Sequence, residues 1–202
     1  MAIRKPGARK VRSDAKIHIR RAVPEDLDDL VEMLHQLDAH VSGAPREALQ
    51  LTASGEQALR DRLARLIAIP DGCIVVAEPS RGPLVAMASC GVWHENGVWL
   101  TPERLENHTA VVDDVWVDPA WRRRGLVRRM LRVLTDFAAE RGAEDVVLEY
   151  SLANPEAAQA WARLGFTPTG VRAATRLDAL QQNLRDAPGR GDADNQGENN
   201  GR

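Results

Sequence analysis

The chain has 202 residues, 44% of them hydrophobic and 28% charged, with a formal net charge of −2. That is apolar material for one domain core, and no run approaches the roughly 20 consecutive apolar residues of a membrane helix. The near-neutral balance argues against a general nucleic-acid binder, and two cysteines are too few for a disulfide scaffold.

Charge is unevenly spread. Residues 1–16 carry six Lys/Arg against one Asp, and residues 122–132 carry six Arg. The N-terminal stretch has charges with no apolar segment after them, so it is not a signal peptide. Neither it nor the Gly/Asn/Asp-rich end buries enough surface to offset its ordering entropy. The expected organisation is a disordered basic arm over 1–15, one domain over 16–182 and a disordered polar tail over 183–202. Cys73 and Cys90 lie in apolar, strand-like runs and read as buried free thiols, which fits a reducing cytoplasm.

Ile17–Arg21 alternates apolar and polar residues and reads as a first strand. Pro24 then opens a helix with Glu25, Asp26, Asp28 and Asp29 at its positive end and a buried stripe of Leu27, Leu30, Val31, Leu34 and Leu37. After the Gly43-Ala44-Pro45 break, Ser54 and Gln57 form a capping-box pattern for a second helix carrying Leu59, Leu63, Leu66 and Ile67. Asp71-Gly72 turns into a strand at Cys73–Ala77. Arg81-Gly82-Pro83 turns into another at Leu84–Trp93. His94–His108 reads as a long loop, the kind that is often functional.

Val111–Val117 is a β-branched, aromatic strand that Asp118-Pro119 stops. Beyond Gly125 the apolar period becomes helical, with Leu126, Met130, Leu131, Leu134, Phe137 and Ala138 on one face. Strand, basic turn and helix N-terminus make an anion site suited to two joined phosphates. Asp145–Tyr150 is a further strand, and Asn154-Pro155 caps a helix that Gly165 ends. Phe166–Pro168 and Val171–Leu177 read as two closing strands.

Arg122-x-x-Gly125-x-Val127 resembles the acyl-CoA-binding signature of the GNAT superfamily of N-acetyltransferases, Arg/Gln-x-x-Gly-x-Gly/Ala, with Val127 in place of the last small residue. Leu148-Glu149-Tyr150 through Asn154-Pro155-Glu156-Ala157 to Trp161 and Gly165-Phe166 is similar to the family's second motif. The order of elements from Ile17 to Leu180 matches as well. The resemblance implies an α/β (α+β) fold with a central mixed sheet of about seven strands flanked by about four helices. It also implies an acetyl-CoA cosubstrate, no metal, and acetyl transfer to an amine of a small molecule or peptide within a ternary complex. Many relatives dimerise through their terminal strands, so a homodimer is one expectation; no nucleic acid or membrane is implied as a partner.

By the same resemblance, the strands at Thr109–Val117 and Val146–Tyr150 splay to admit the cofactor. Backbone groups of Val115, Trp116 and Val117 bond its pantetheine arm and polarise the thioester. Arg122, Arg123, Arg124, Gly125, Leu126, Val127 and Arg128 hold the pyrophosphate, while Asn154, Ala157 and Trp161 fall at cofactor-contacting positions. Trp161 stands where many members have a tyrosine that protonates the departing thiolate. An indole cannot do so, which leaves Tyr150 or no protein acid.

An amine must be neutral before it attacks. Glu149 and Asp113 match positions at which relatives carry a base, and Asp114 reads as a surface or cation-binding group. Strict alternation puts Asp113 with Val115 and Val117, and Asp114 with Val112 and Trp116. His35, His40, His94 and His108 have no metal-ligand spacing. Trp93, Trp99 and Trp116 are candidates to wall an acceptor pocket or to pack the core. A non-catalytic acyl-CoA sensor of the same fold is the alternative reading.

Overall fold

The structure, a computed structural model, describes residues 16–43, 52–95, 107–151, 154–170 and 173–186. The basic arm, most of the polar tail, Pro45, the centre of the loop with Trp99, and Val171 lie outside them. The chain divides into two compact units, Met1–Ala158 and Gln159–Arg202.

In the first unit the elements run β1 (Ile17–Arg21), a 3₁₀ turn (Pro24–Asp26), α1 (Leu27–Ser42), α2 (Ala53–Ala68), β2 (Gly72–Pro79) and β3 (Ala86–Glu95). There follow β4 (Asn107–Val117), a 3₁₀ turn (Pro119–Trp121), α3 (Leu126–Ala139), β5 (Asp145–Leu148) and the start of α4 (Pro155–Ala162). One five-stranded sheet has the order β1-β2-β3-β4-β5. The first four strands pair antiparallel and β5 joins β4 in parallel.

A helical layer covers each face. Leu126, Met130, Leu134 and Phe137 of α3 bury against Val75, Ala88, Cys90 and Val112. On the other face Leu30, Val31 and Leu34 of α1 and Leu63 of α2 close over Ile74, Val76, Met87 and Trp116. Strand β2 lies between both layers, which is why its Cys73–Ala77 run is continuously apolar instead of alternating. Cys73 and Cys90 face each other in the β2–β3 register as buried free thiols. Burial pushes both thiols up, that of Cys90 to about 11.

Three of the acidic residues at the start of α1, Asp26, Asp28 and Asp29, are consumed internally. Asp26 accepts from Arg20 Nη1 and Nη2 at 2.6 and 2.8 Å and from the Val23 N–H at 2.9 Å. Asp28 pairs with Arg60 of α2, and Asp29 accepts from the Leu84 N–H. The Arg20 bond holds the Asp26 carboxyl below its usual 3.8. A carboxylate depressed in the folded state contributes stability above its unfolded value and loses it as pH falls below. Asp26→Asn is therefore expected to cost about 1.5–3 kcal/mol at neutral pH. It should also flatten the loss of stability below about pH 4, read by urea unfolding across pH.

Three expectations change. The cap of α2 is Thr52, whose hydroxyl accepts from the Gly55 N–H at 3.1 Å. Ser54 instead bonds that hydroxyl, and Gln57 donates to Asp61. The long loop shortens, because β3 runs to Glu95 and β4 begins at Asn107. In the second unit no strand occupies 166–170 or 173–176 among the described residues, so the sheet has five strands where about seven were expected. Pro168 and Gly170 interrupt that stretch, while Leu177, Leu180 and Leu184 recur at helical spacing and form α5 (Leu177–Asp186).

Candidate active site

Two strands part at the β5 side of the sheet. Pairing between β4 and β5 runs from Thr109–Asp145 to Val112–Leu148 and stops there, while β4 continues to Val117. Beyond Val112 the β5-facing edge of β4 has no strand partner among the described residues, so its backbone groups are available to a ligand. This is the stretch holding Val115, Trp116 and Val117.

A bulge lies at the parting point. The β3–β4 register shifts between Ala88–Val115 and Cys90–Val112, so Asp113 and Asp114 together oppose Ser89. Ser89 is fully buried; its hydroxyl accepts from the Asp114 N–H at 3.0 Å and donates to Asp114 Oδ2 at 3.4 Å. The extra residue breaks the alternation expected from the sequence. Val112, Val115 and Val117 share the α3 face, and Trp116 falls on the α1/α2 face. Both aspartates reach Arg62 of α2, with Nη1 3.2 Å from Asp113 Oδ2 and Nη2 2.9 Å from Asp114 Oδ2.

The two carboxylates differ in exposure. The side chain of Asp113 is 65% exposed and that of Asp114 17%. Burial pushes the Asp114 carboxyl up, with Asp113 adding to the shift and Arg62 and Ser89 opposing it. Without its hydroxyl, Ser89→Ala leaves the buried bulge N–H unpaired. The expected cost is about 1–3 kcal/mol, measured by urea unfolding.

At the end of β4, Asp118 caps the 3₁₀ turn through the Ala120 N–H at 2.7 Å. Arg123 has φ +64, and Gly125, the N-cap of α3, has φ +73. A helix leaves its first N–H groups without intrahelical partners, and Gly125 provides no side chain to cap those of Leu126, Val127 and Arg128. Together with the helix dipole they form a cradle for an anion. Arg123, Arg124 and Arg128 are exposed around it. Arg122 turns inward, its Nε donating to the Val117 carbonyl at 3.2 Å and its guanidinium lying over Trp116. Arg124 lies over Trp121. Both arginines therefore brace the turn through aromatic faces, and the Val117 carbonyl is already engaged.

Glu149 and Tyr150 follow the last residue of β5, Glu149 exposed and Tyr150 half-buried. The side-chain oxygen of Asn154 accepts from the Ala157 N–H at 3.0 Å and so caps α4. Trp161, in the second unit, packs edge-on against Phe166. Trp116 is buried, with His40 edge-on to its ring and no partner for its Nε1 among the described residues. Trp93 is 60% exposed. His94 lies edge-on to His108 and 3.2 Å from Asp71, at the end of the sheet away from the cradle. No group of three or more His, Cys, Asp or Glu gathers into a metal site among the described residues. No described helix is long and apolar enough to cross a membrane.

Residues 40–166 match the model of the acetyltransferase (GNAT) family. The chain belongs to the GNAT acetyltransferase family. It is 33% identical over 159 residues to the Oryza sativa subsp. japonica protein named "Probable glucosamine 6-phosphate N-acetyltransferase 2", covering 78% of this chain and 86% of that one. It is 37% identical over 68 residues to streptothricin acetyltransferase of Streptomyces lavendulae, a match spanning 34% of this chain and about a third (36%) of that protein's length. An aminoglycoside N-acetyltransferase solved in complex with CoA shares the fold, with a TM-score of 0.61 and 16% identity over 82% of this chain and 97% of that one.

Two residues of this candidate site have no place among the sequence expectations. Ser89 had a signal, as the polar interruption of the apolar run Val85–Val92. Arg62 had none, because its partners lie 51 and 52 residues away.

Proposed function

We propose that this GNAT enzyme transfers acetyl from acetyl-CoA directly to a primary amine of a small molecule or peptide, with Asp114 as the base. The observation that carries the reading is the continuous path from the unpaired edge of β4 through Arg122–Gly125 to the uncapped N-terminus of α3. An open backbone edge and a row of free N–H groups fit an amide-bearing arm that ends in a pyrophosphate.

Acetyl-CoA supplies the activated acetyl thioester. The N–H groups of Leu126, Val127 and Arg128 receive pyrophosphate oxygens, and Arg123, Arg124 and Arg128 add charge-assisted bonds. Backbone groups of Val115 and Trp116 orient the arm. The acceptor enters as an ammonium and gives one proton to Asp114. Its nitrogen then forms the amide bond as the C–S bond breaks, and the second nitrogen proton leaves with the sulfur. Tyr150, the only tyrosine of the chain, is the phenol that can deliver that proton. Of the three carboxylates, Asp114 is the one desolvated enough to serve as a base nearer neutral pH. Asp113 and Glu149 are exposed.

Calorimetric titration with acetyl-CoA and CoA, followed by free-thiol release over a panel of amines, tests the reading. Binding with amine-dependent release is expected. Binding with no release from any amine favours a non-catalytic acyl-CoA-binding domain, and no binding overturns both.

A further inference from the structure

Asp26, Asp28 and Asp29 at the start of α1 are committed to Arg20, Arg60 and backbone N–H groups. Asp113 and Asp114 are different: they share a single guanidinium that reaches them from another element, on a side chain 50% exposed. Trp116, two residues along β4 from Asp114 and on the same face, adds a buried indole N–H with no partner among the described residues. The bulge thus pairs a displaceable internal cation with an unused donor.

Resting on the acetyl-transfer reading above, we propose that Arg62 stands in for the acceptor's ammonium on Asp113 and Asp114, and that the acceptor is a cationic primary amine bearing an oxygen acceptor for Trp116 Nε1. An incoming ammonium displaces Arg62 and takes both carboxylates. Asp113, the exposed one, supplies the attraction, and Asp114 takes the proton. The product amide is neutral and has no hold on the pair. Arg62 then returns, and its positive charge drives the proton of Asp114 to solvent. Each cycle starts and ends with the same charge on the bulge, so Arg62 both resets the base and sets how strongly a cation must bind to enter.

Three probes test this: butylamine and glucosamine, cations at neutral pH, and aniline, which is uncharged there. Each is titrated calorimetrically into the full chain and its Arg62→Ala, Arg62→Lys and Asp113→Asn variants, without acetyl-CoA. With the competing cation gone, Arg62→Ala is expected to bind butylamine and glucosamine about two- to five-fold more tightly, the range of a partly exposed ion pair. Aniline binding should not change, and Arg62→Lys should behave as the unaltered chain. Asp113→Asn should remove the preference for cations, and glucosamine should bind more tightly than butylamine wherever Trp116 is present. Weaker binding of the cations by Arg62→Ala, or equal shifts for cations and aniline, would make Arg62 a structural tie and overturn the proposal. Because these measurements need no turnover, a failure of acetyl-CoA to bind or of thiol to be released counts against the proposed function and is read separately.

Discussion

Gly125→Val is expected to weaken acetyl-CoA binding by at least about 100-fold, the equivalent of losing two bonds to a charged group, while the fold persists. Gly125 sits at φ +73, ψ 15, a left-handed conformation that a β-branched residue avoids at a cost of roughly 1–2 kcal/mol. No atom lies within 4 Å of where a Cβ would be, so the effect is conformational and not a collision. Valine relieves its strain by rearranging the turn, and that carries the N–H groups of Leu126, Val127 and Arg128 away from their common direction. Gly125→Ala should lose less. Calorimetry with acetyl-CoA and CoA reads the affinity, and thermal unfolding reads the fold, whose midpoint should fall by no more than about 8 °C. Affinity unchanged in Gly125→Val would move the cofactor away from this turn.

Asp114→Asn is expected to lower kcat about 10²- to 10⁴-fold, the usual contribution of a positioned base, with acetyl-CoA affinity nearly unchanged. The pH profile gives the sharper reading. The ionised form of Asp114 accepts the proton, so activity should rise with pH through its pKa, and burial sets that limb above the usual 3.8. Asp114→Asn should erase the limb. The substitution should not unfold the protein, because an acid whose folded pKa is raised loses stability on ionising as pH rises. Glu149→Gln should leave the limb in place. If Glu149→Gln erases it and Asp114→Asn does not, Glu149 is the base.

The bulge decides which way the two aspartates of β4 point. Without the extra residue, Asp114 would share the α3 face with Val112 and lie in the apolar layer of Leu126 and Met130. With it, both aspartates turn toward α2, at the level where β5 leaves β4. The irregularity turns both acidic side chains toward Arg62 of α2, next to the stretch of β4 that β5 no longer pairs. Ser89 makes it tolerable by pairing the backbone N–H that the bulge strands in the core.

The sequence by itself determined what depends on neighbours along the chain. The change from period two to period 3.6 across Arg122–Gly125 located the strand, turn and helix start. The stripe containing Leu30 and Leu34 declared the buried face of α1. The motifs around Arg122 and Asn154 were sufficient to place the chain in its family. Only the tertiary structure decided the matters that rest on residues far apart in the chain. Strict alternation grouped Asp113 with Val115 and Val117, and Asp114 with Val112 as well as Trp116. Both aspartates instead lie on the α2 side with Trp116, because a bulge arises from pairing with β3 and leaves no trace in the spacing within β4. The burial that separates Asp114 from Asp113, and the arginine that joins them, come from α2 packing on the sheet. Local pattern carries information about local conformation; a carboxylate's proton affinity is set by the charges and apolar surface that folding brings beside it.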